Sequence, residues 1–340
     1  MGISIRYLFT NIRFHLIIYM KSYIWLFILF VITIVIYKYL YIQKKKIFSF
    51  WNKMPVMQYD TEYNVDKTII DEKYGYLIPD QSDISLFEID KDIDEIMQFL
   101  NNNYIDGYVM SKDYIYRKMC IPGAIGLICK ANDKILGFIQ CSPYPFIDKI
   151  FSYVDLLCVS KDVRNKGLAK KLIDNIIYYS PNKIFIHKKD KYPLPFTHFY
   201  KTSHYSCGIA YLKNKYGLKK TLYMPVFEKD SNDDTIFTSS DSIKTYKYQN
   251  NYISFSLHKF KAIGYLQIAE IFYISPNFKD YDDIISIMYE NRVDFMIVLP
   301  NGVFKNKIDE DYYSKSMDLY VYAFNFVIHP ISEELWFNVP

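Results

Sequence analysis

The sequence YVDLLCVSKDVRNKGLAKKLI, residues 153–173, is predicted to form a strand, a loop and a helix in succession. It begins as a short apolar run that contains Val154 and Leu156, which indicates a buried strand. A turn follows, and after Gly167 the apolar residues recur at helical spacing from Leu168 onward. A helix that opens directly after a strand presents unpaired backbone N–H groups at the positive end of its dipole. The unit is therefore predicted to bind an anion such as a phosphate.

Within this unit, residues 164–169 form the pattern R-x-x-G-x-A. The pattern resembles the one with which the acyl-CoA N-acyltransferase superfamily holds the pyrophosphate of CoA. Gly167 lets the backbone approach an anion closely, and Arg164 and Lys166 add positive charge. So short a pattern also arises by chance, and an ordinary strand-turn-helix is the alternative interpretation of this stretch taken alone.

The positive charge of the chain resides in its N-terminal arm. The sequence has 41 Lys and Arg against 37 Asp and Glu. Residues 1–46 contain seven of the basic residues and none of the acidic ones, which leaves a net charge of −3 for the remainder. A body without excess positive charge gives no indication of nucleic-acid binding.

Residues 23–42 of that arm are predicted to form a transmembrane helix. The run 23–37 is uncharged and apolar, and with Lys38 reaching toward the headgroups it extends to about 20 residues, enough to span a bilayer. Trp25 and Tyr41 suit interfacial positions. A cleaved signal peptide and a buried core helix are the alternatives. The basic residues 44–46 favour a cytosolic body, so the sequence predicts a single-pass membrane protein.

The cysteines and histidines give no support to a metalloenzyme or a hydrolase. The five cysteines are odd in number and none are spaced as C-x-x-C, so we expect reduced thiols. The six histidines show no H-x-x-x-H spacing, and no G-x-S-x-G motif occurs. No metal ligand set is predicted.

A helix and a hairpin are predicted before the 153–173 unit. Apolar residues at Ile93, Ile96 and Leu100 indicate a helix within residues 87–103. Two apolar runs, 125–129 and 135–141, flank the turn signal Ala-Asn-Asp-Lys and indicate two paired strands. The order of helix, hairpin, strand, anion-binding loop and helix is that of an acetyltransferase-like domain.

Six blocks of sequence then point to one family. In chain order they are FWNKMPV (50–56), LNNNYIDG (100–107), IPGAIGL (121–127), KILGFIQCSP (134–143), VDLLCVSKDVRNKGLAKKLI (154–173), and YPLP followed by HFYKTS (192–203). Each resembles a motif of the glycylpeptide N-tetradecanoyltransferase (N-myristoyltransferase) family, and they follow the family's order. The resemblance is looser from residue 250 to the C-terminus.

The resemblance implies an α/β fold of two acetyltransferase-like halves with a mixed central sheet, to which the predicted transmembrane helix is added. The domains expected are an anchor over 1–46, an acyl-CoA-binding half over 47–216 and a shorter, peptide-binding half over 217–340. The implied reaction transfers myristate from myristoyl-CoA, as a co-substrate, to the N-terminal glycine amine of a protein. No permanently bound cofactor and a monomeric state are expected.

The resemblance also implies roles for particular residues. The backbone N–H groups of Leu156 and Leu157 would form an oxyanion hole, and the Pro340 carboxylate at the C-terminus would accept a proton from the glycine ammonium. The residues implied in binding CoA are Phe50, Trp51, Val159, Arg164, Asn165, Lys166, Gly167, Leu168 and Ala169. The residues implied in binding the acceptor are Tyr104, Asp106, Asp155 and His187.

Several positions depart from the family's pattern. Asp155 stands where the family has Asn, and His187 falls near a Thr that helps to hold the glycine amine, which makes it an alternative base. Residues 106–110 are shorter and less acidic than the family's peptide-binding segment. Two alternatives therefore remain open: an N-acyltransferase with another acyl chain or acceptor, and a non-catalytic membrane adaptor that binds acyl-CoA.

Overall fold

The computed structural model of the protein describes residues 25, 28–38, 54–57, 69, 79–105, 107–146, 148–227, 239–262, 264–275, 278, 281–300, 302–304, 306–308 and 311–328. The chain divides into two compact units, Met1–Met54 and Pro55–Pro340. Four residues with roles implied by the family resemblance lie outside the described residues: Phe50, Trp51, Asp106 and Pro340.

The described part of the first unit is mainly a helix over residues 28–38. Its apolar side chains are exposed, and Leu29 and Phe30 retain 60% and 63% of their accessible surface. Among the described residues, no helix has the length and apolar character needed to cross a membrane. The transmembrane helix predicted over 23–42 is thus without structural support; of that span the structure describes Trp25 and residues 28–38.

The second unit alternates strands and helices. Its described strands are β1 (Ile84–Leu86), β2 (Tyr108–Val109), β3 (Ile125–Ala131), β4 (Lys134–Phe146), β5 (Lys149–Val159), β6 (Phe185–Asp190), β7 (Tyr200–Gly208), β8 (Met224–Pro225), β9 (Ile243–Tyr248), β10 (Asn251–Ala262), β11 (Gly264–Ile274), β12 (Phe295–Val298) and β13 (Ser314–Phe324). Its described helices are α1 (Ile89–Asn103), α2 (Lys112–Met119), α3 (Leu168–Tyr179), α4 (Ile209–Tyr216) and α5 (Tyr281–Glu290).

The strands form one mixed sheet in the order β1-β3-β4-β5-β6-β13-β7-β12-β11-β10-β9-β8, with β2 paired to β10. Two neighbouring pairs are parallel, β5 with β6 and β11 with β12, and the other pairs are antiparallel. Strand β13 comes from the end of the chain but lies between β6 and β7. The mixed α/β fold with one large central sheet that the sequence predicts is confirmed.

The first half follows the sequence prediction closely. Helix α1 buries Ile93, Ile96 and Leu100 on one face, and the predicted hairpin is β3 and β4. The two-residue turn between them holds Asn132 and Asp133 at φ +51° and +58°. Asn and Asp tolerate the left-handed region better than other side chains do, which explains why this turn could be predicted from the sequence.

Among the described residues, an apolar core supports each end of the sheet, and a third lies at its centre around Phe151 and Val321. Helices α1 and α2 cover one core with the first strands, and Phe138 and Leu156 are buried there. Helix α3 packs tightly on strand β4, since a Cβ placed on Gly137 would meet the side chain of Leu172 at 2.7 Å. The core at the other end lies under α4 and α5 and includes Phe255 and Met296. The boundary predicted between 216 and 217 follows the end of α4 and stays a prediction, because β13 joins strands of the first half.

Candidate active site

A β-bulge interrupts strand β5 at Leu156. The pairing with β4 shifts between Phe138, opposite Cys158, and Gln140, opposite Asp155. Two residues of β5 therefore face one residue of β4, and Leu156 takes φ +52°, a conformation unfavourable for a branched side chain. The bulge changes the direction in which the backbone groups of Leu156 and Leu157 point, at the place where the sequence predicts an oxyanion hole.

Strands β5 and β6 separate directly beside the bulge. Their parallel pairing spans three residues and ends at Val154 opposite His187. Beyond it, β5 continues to Val159 against β4, whereas β6 continues to Asp190 against β13. Strands that diverge in the middle of a sheet leave a gap between their backbones. Strand β5 continues from this gap into the loop that follows it.

The loop after β5 brings the start of helix α3 to the same gap. Gly167 has φ +86°, and among the described residues beyond its two chain neighbours no atom lies within 4 Å of the position a Cβ would take there. Its conformation, rather than crowding, is what requires glycine. The N-terminus of α3 has no side-chain cap and no acidic residue in its first turn. Its N–H groups are thus available, in electrostatic terms, for an external anion.

Arg164 acts on the loop itself. Its guanidinium donates from Nη2 to the carbonyl of Asn103 and from Nε to the carbonyl of Val159 at 3.2 Å. The Asn103 side chain in turn accepts a hydrogen bond from the backbone N–H of Lys161 at 3.0 Å. Arg164 and Asn103 therefore fasten the loop to the end of α1. The sequence predicts Arg164 as added charge for an anion, and that role stays a prediction; these contacts also give it a part in holding the loop.

A pocket of about 500 Å³, called here the loop pocket, lies between the bulged strand, the loop and helix α3. Seven of its lining residues are ones implied from the sequence to be catalytic or CoA-binding: Leu157, Val159, Arg164, Asn165, Gly167, Leu168 and Ala169. Tyr104, implied in acceptor binding, lines it as well. Asn103, Cys158 and Val163 line it without having been predicted, and Lys166 and Leu156 are outside its lining.

Cys158 is a poor nucleophile in spite of its place in the pocket. Its side chain is buried, and burial raises the pKa of the thiol to about 12. A thiol with so high a pKa carries almost no thiolate near neutral pH. Cys158 is therefore not a reactive nucleophile in the loop pocket.

Asp155 makes two hydrogen bonds at the entrance to the bulge. Its Oδ1 accepts from the backbone N–H of Leu156 at 2.8 Å, and its Oδ2 accepts from Lys118 Nζ at 2.7 Å. The Lys118 side chain is 5% exposed and that of Asp155 is 17% exposed, so this is a buried ion pair. Burial lowers the pKa of Lys118, and the neighbouring Asp155 opposes that effect.

Further ionisable groups continue inward from this pair. We call Lys118, Asp155, Lys188, His258 and Glu270 the inner cluster. Tyrosine rings connect its members: Lys118 and Lys188 lie 5.9 and 5.3 Å from the ring centre of Tyr153, and Tyr114 lies between Lys118 (5.4 Å) and the His258 ring (4.8 Å).

The carboxylate of Glu270 is at the far end of the inner cluster. His258 Nε2 lies 3.6 Å from one of its oxygens, and Tyr108 donates to the same oxygen at 3.5 Å. Burial alone would raise the pKa of Glu270, but His258, His204 and Lys118 outweigh it and lower the pKa well below its usual range. Glu270 is therefore an anion held among potential cations.

Lys188 faces the inner cluster from strand β6. Burial, and then the ammonium of Lys118, lower the pKa of Lys188 to about 8. His187, the residue before it, points to the opposite side of the sheet because side chains alternate along a strand. It packs against Tyr322 and Phe196, with ring centres 5.2 and 6.2 Å away, and burial lowers its pKa to about 4.

The placement of Lys188 bears on the acceptor-binding role that the sequence analysis gives His187. That role stays a prediction, but the side chain that β6 presents to the inner cluster is Lys188. Tyr104 and Asp155, the other described residues implied in acceptor binding, lie beside the loop pocket and in the inner cluster. Burial and the charge of Asp155 raise the pKa of Tyr104, so its hydroxyl stays neutral.

Comparison with known protein families agrees with this geometry. A family model described as acetyltransferase (GNAT) family matches residues 93–204, which include most of α1 and all of β5, the loop pocket and α3. The first half of the chain is thus similar to GNAT acetyltransferases, the class that the strand-loop-helix unit predicts.

Solved structures extend the likeness to most of the chain. Saccharomyces cerevisiae N-myristoyltransferase with bound myristoyl-CoA matches with a TM-score of 0.68 and 16% identity over 83% of this chain and 89% of that one. The same yeast protein with bound myristoyl-CoA and inhibitors matches with a TM-score of 0.64 and 17% identity over 86% and 94%. The chain therefore has the fold of N-myristoyltransferase.

A sequence relative points the same way. The glycylpeptide N-tetradecanoyltransferase of Candida glabrata is 28% identical over 160 residues, which are 39% of this chain. The match spans about a third of that relative, 35% of its length. The resemblance to the N-myristoyltransferase family that the six sequence blocks predict is confirmed.

Proposed function

We propose that the protein transfers a myristoyl group from myristoyl-CoA to the N-terminal glycine amine of acceptor proteins. The observation that carries the proposal is the loop pocket, where a bulged strand and an uncapped helix N-terminus meet within the fold of N-myristoyltransferase. The similarity to the Candida glabrata relative supports an N-acyltransferase in particular.

In the proposed reaction, the neutral amine of glycine attacks the thioester carbonyl carbon. A C–N bond forms and the carbonyl oxygen becomes an oxyanion. The oxyanion then collapses, the C–S bond breaks, and CoA leaves as a thiolate that takes up the second proton lost by the nitrogen. The chain has to bind the CoA phosphates, stabilise the oxyanion and remove the first proton from the glycine ammonium.

CoA binding is assigned to the loop pocket. The backbone N–H groups at the start of α3, from Leu168 and Ala169, would hold the phosphates, with Asn165 and Gly167 shaping the loop. Lys166 is exposed and would add a screened charge. Phe50 and Trp51 remain proposed CoA contacts from the resemblance alone.

Oxyanion stabilisation is assigned to the backbone N–H groups of Leu156 and Leu157. Donors on a rigid bulge need no reorganisation when the negative charge develops, which is what makes such groups effective. Removal of the first proton is assigned to the Pro340 carboxylate. An α-ammonium has a pKa near 8, so at neutral pH it needs a nearby acceptor. Deleting Pro340 should lower kcat in a transfer assay, with acyl-CoA affinity unchanged as the control.

A second candidate function, a non-catalytic acyl-CoA-binding adaptor, is favoured by one observation. The N–H of Leu156 is already engaged by the Asp155 carboxylate, which places negative charge where an oxyanion would form. An N-acyltransferase that uses another acyl chain or another acceptor is a further alternative. It is motivated by the inner cluster, whose ionisable side chains stand close to the loop pocket.

The test uses the full chain in detergent with radiolabelled myristoyl-CoA and a pool of Gly-initiated peptides. We expect label on the glycine α-amine, and none on the same peptides with the amine blocked by acetylation. Palmitoyl-CoA and acetyl-CoA as competitors define the acyl preference. Tight binding without transfer would favour the adaptor, and absence of myristoyl-CoA binding would contradict the proposed site altogether.

Membrane attachment through residues 23–42 is a separate proposal, motivated by the uncharged apolar run and its basic flanks. A tether would hold the body where acylated products partition. Flotation of the full chain with liposomes, compared with a variant that lacks residues 1–46, measures it. Equal flotation of both forms would contradict the proposal.

A further inference from the structure

The Asp155 carboxylate poses an electrostatic problem at the proposed oxyanion hole. It lies one residue before Leu156 and accepts that residue's N–H at 2.8 Å. The proposed reaction needs the same N–H to donate to an oxygen that becomes negative. A carboxylate at this distance would repel the oxyanion and compete for its donor, unless another group takes up the carboxylate's charge.

Lys118 is placed to take up that charge. Its ammonium binds the other carboxylate oxygen of Asp155 at 2.7 Å, and its side chain is 5% exposed. Aromatic rings from two elements flank it, Tyr114 at 5.4 Å and Tyr153 at 5.9 Å. A buried ammonium held in this way has little freedom to leave its partner, so it is a fixed counter-charge.

Gln140 fixes the helix that carries Lys118. Gln140 is fully buried on β4, directly opposite Asp155 in the pairing with β5. Its side-chain amide donates to the carbonyl of Lys118 at 3.3 Å. One cross-strand pair thus binds both the backbone and the side chain of Lys118, which registers the C-terminal turn of α2 against the bulge.

We infer that Lys118 is a positioning residue that makes Asp155 compatible with acyl transfer at Leu156. This inference rests on the proposed function. Without acyl-CoA, Asp155 is shared between the N–H of Leu156 and the ammonium of Lys118. When a thioester oxygen approaches the bulge, the carboxylate moves fully onto Lys118, and the N–H of Leu156 becomes the donor to the oxyanion. This exchange of hydrogen-bond partners involves no proton transfer.

Other charged residues near the Lys118–Asp155 ion pair also affect its charge state. Arg117 precedes Lys118 on α2, Lys188 faces the pair from β6, and Glu270 faces it from β11. Burial lowers the pKa of both Arg117 and Lys118, and the charge of Arg117 lowers that of Lys118 further, while Asp155 and Glu270 oppose these shifts. Replacing Lys118 alone therefore leaves a carboxylate at the bulge whose nearest partner is the N–H that catalysis needs.

The test is a double-mutant cycle on the full chain, measured as kcat for myristoyl transfer with myristoyl-CoA affinity measured in parallel. Lys118→Met should lower kcat 10- to 100-fold with affinity changed less than threefold. Asp155→Asn removes the charge and should raise kcat about threefold. The double variant should recover to at least the wild-type kcat, since it has neither the carboxylate nor a need for its counter-ion.

Lys112→Met is the matched control. Lys112 is on the same helix and forms an ion pair with Asp94 at 2.8 Å, but both side chains are exposed. It should change kcat by less than twofold. A purely structural role of Lys118 would lower Tm and leave the double variant as slow as Lys118→Met. That outcome, or a Lys118→Met kcat within threefold of wild type, overturns the inference.

Hydrogen exchange separates failure of this inference from failure of the proposed function. In protein without acyl-CoA, Asp155→Ala should speed exchange at the Leu156 amide at least tenfold, because the amide loses its acceptor. Lys118→Met should not speed it, because the carboxylate stays on the amide. If the wild type transfers no acyl group, the proposed function fails. If Asp155→Ala leaves exchange unchanged, the inference fails whether or not the protein is active.

Discussion

The loop pocket and the inner cluster lie side by side, but they are built in opposite ways. The loop pocket is made largely from one contiguous stretch, residues 157–169. Its charged lining residue, Arg164, is exposed, as is Lys166 beside the lining. The inner cluster takes one residue each from α2, β5, β6, β10 and β11, and its charges are wholly or partly buried.

The difference separates two kinds of binding. Backbone N–H groups on a glycine-shaped loop recognise an anion through geometry, which tolerates many side chains. Buried side-chain charges recognise through exact compensation, because each one removed leaves its partner uncompensated in a poorly solvated place. We therefore expect the loop pocket to depend on conformation and the inner cluster to depend on charge.

The largest effect is expected from Gly167→Val. A β-branched residue at φ +86° is strained, so the loop and the first turn of α3 must rearrange. Affinity for myristoyl-CoA should fall about 100-fold by calorimetry, equivalent to about 2.7 kcal/mol. Gly167→Asn, which tolerates this conformation better, is the control and should lose far less. Equal losses for Val and Asn would mean that the space at Gly167, and not its conformation, matters.

Arg164→Met is expected to have the next effect. It removes the hydrogen bonds to the carbonyls of Asn103 and Val159 while preserving much of the side-chain volume. The KM for myristoyl-CoA should rise about tenfold, the size expected from losing one or two hydrogen bonds that fix a loop. Arg164→Lys should rescue little, since an ammonium does not reproduce the two-carbonyl geometry. Full rescue by Lys would point to charge instead.

Lys188→Met tests the charge dependence of the inner cluster. The folded pKa of about 8 is below the ordinary value of 10.5, so between these pH values the unfolded chain binds more protons and the stability contributed by this group rises with pH. At pH 7 the partly buried ammonium of Lys188 is destabilising. The variant should be more stable by about 1 kcal/mol, a figure reduced because the side chain is partly exposed.

Denaturant titrations from pH 7 to 10.5 check this prediction. The wild type should gain stability over that range relative to Lys188→Met. Lys189→Met, an exposed neighbour on the same strand, serves as the control and should follow the wild-type profile. Parallel profiles for wild type and Lys188→Met would show that Lys188 has an ordinary pKa.

The smallest effect is expected from Lys166→Met. Its side chain is exposed and lies outside the lining of the loop pocket, so its charge acts through solvent. The KM for myristoyl-CoA should rise two- to threefold at low ionic strength. The difference should vanish at 0.5 M salt, because the Debye length is then roughly 4 Å and the charge of Lys166 is screened. A loss that persists at high salt would indicate a direct contact.

The sequence predicted the features that depend on neighbouring residues, but not those that depend on contacts between distant parts of the chain. The helix within 87–103, the turn at Asn132 and Asp133 and the loop around Gly167 each follow from neighbouring residues with plain conformational preferences. The burial of Lys118 has no such signal. In the sequence of α2, Lys118 follows Arg117 near the end of a short helix, where basic residues ordinarily face solvent.

For a related reason, the sequence could not predict whether His187 or Lys188 faces the inner cluster. Which of two adjacent residues faces the inner cluster depends on the register of β6 against β5 and β13, and a shift by one residue exchanges the two faces. That register is fixed by apolar contacts such as Phe185 with Phe324, which come from strands more than a hundred residues apart.

The position of β13 has a consequence for synthesis of the chain. Strands β6 and β7 are complete once residue 208 has emerged, yet each lacks the neighbour that lies between them until Ser314–Phe324 follows. At 5–20 residues per second, the ribosome needs roughly 6–23 s to make those further residues. During that interval two adjoining strand edges are unpaired, and such edges are templates for association with other chains. Protection of nascent chains by a chaperone over this window should therefore govern the yield of folded protein.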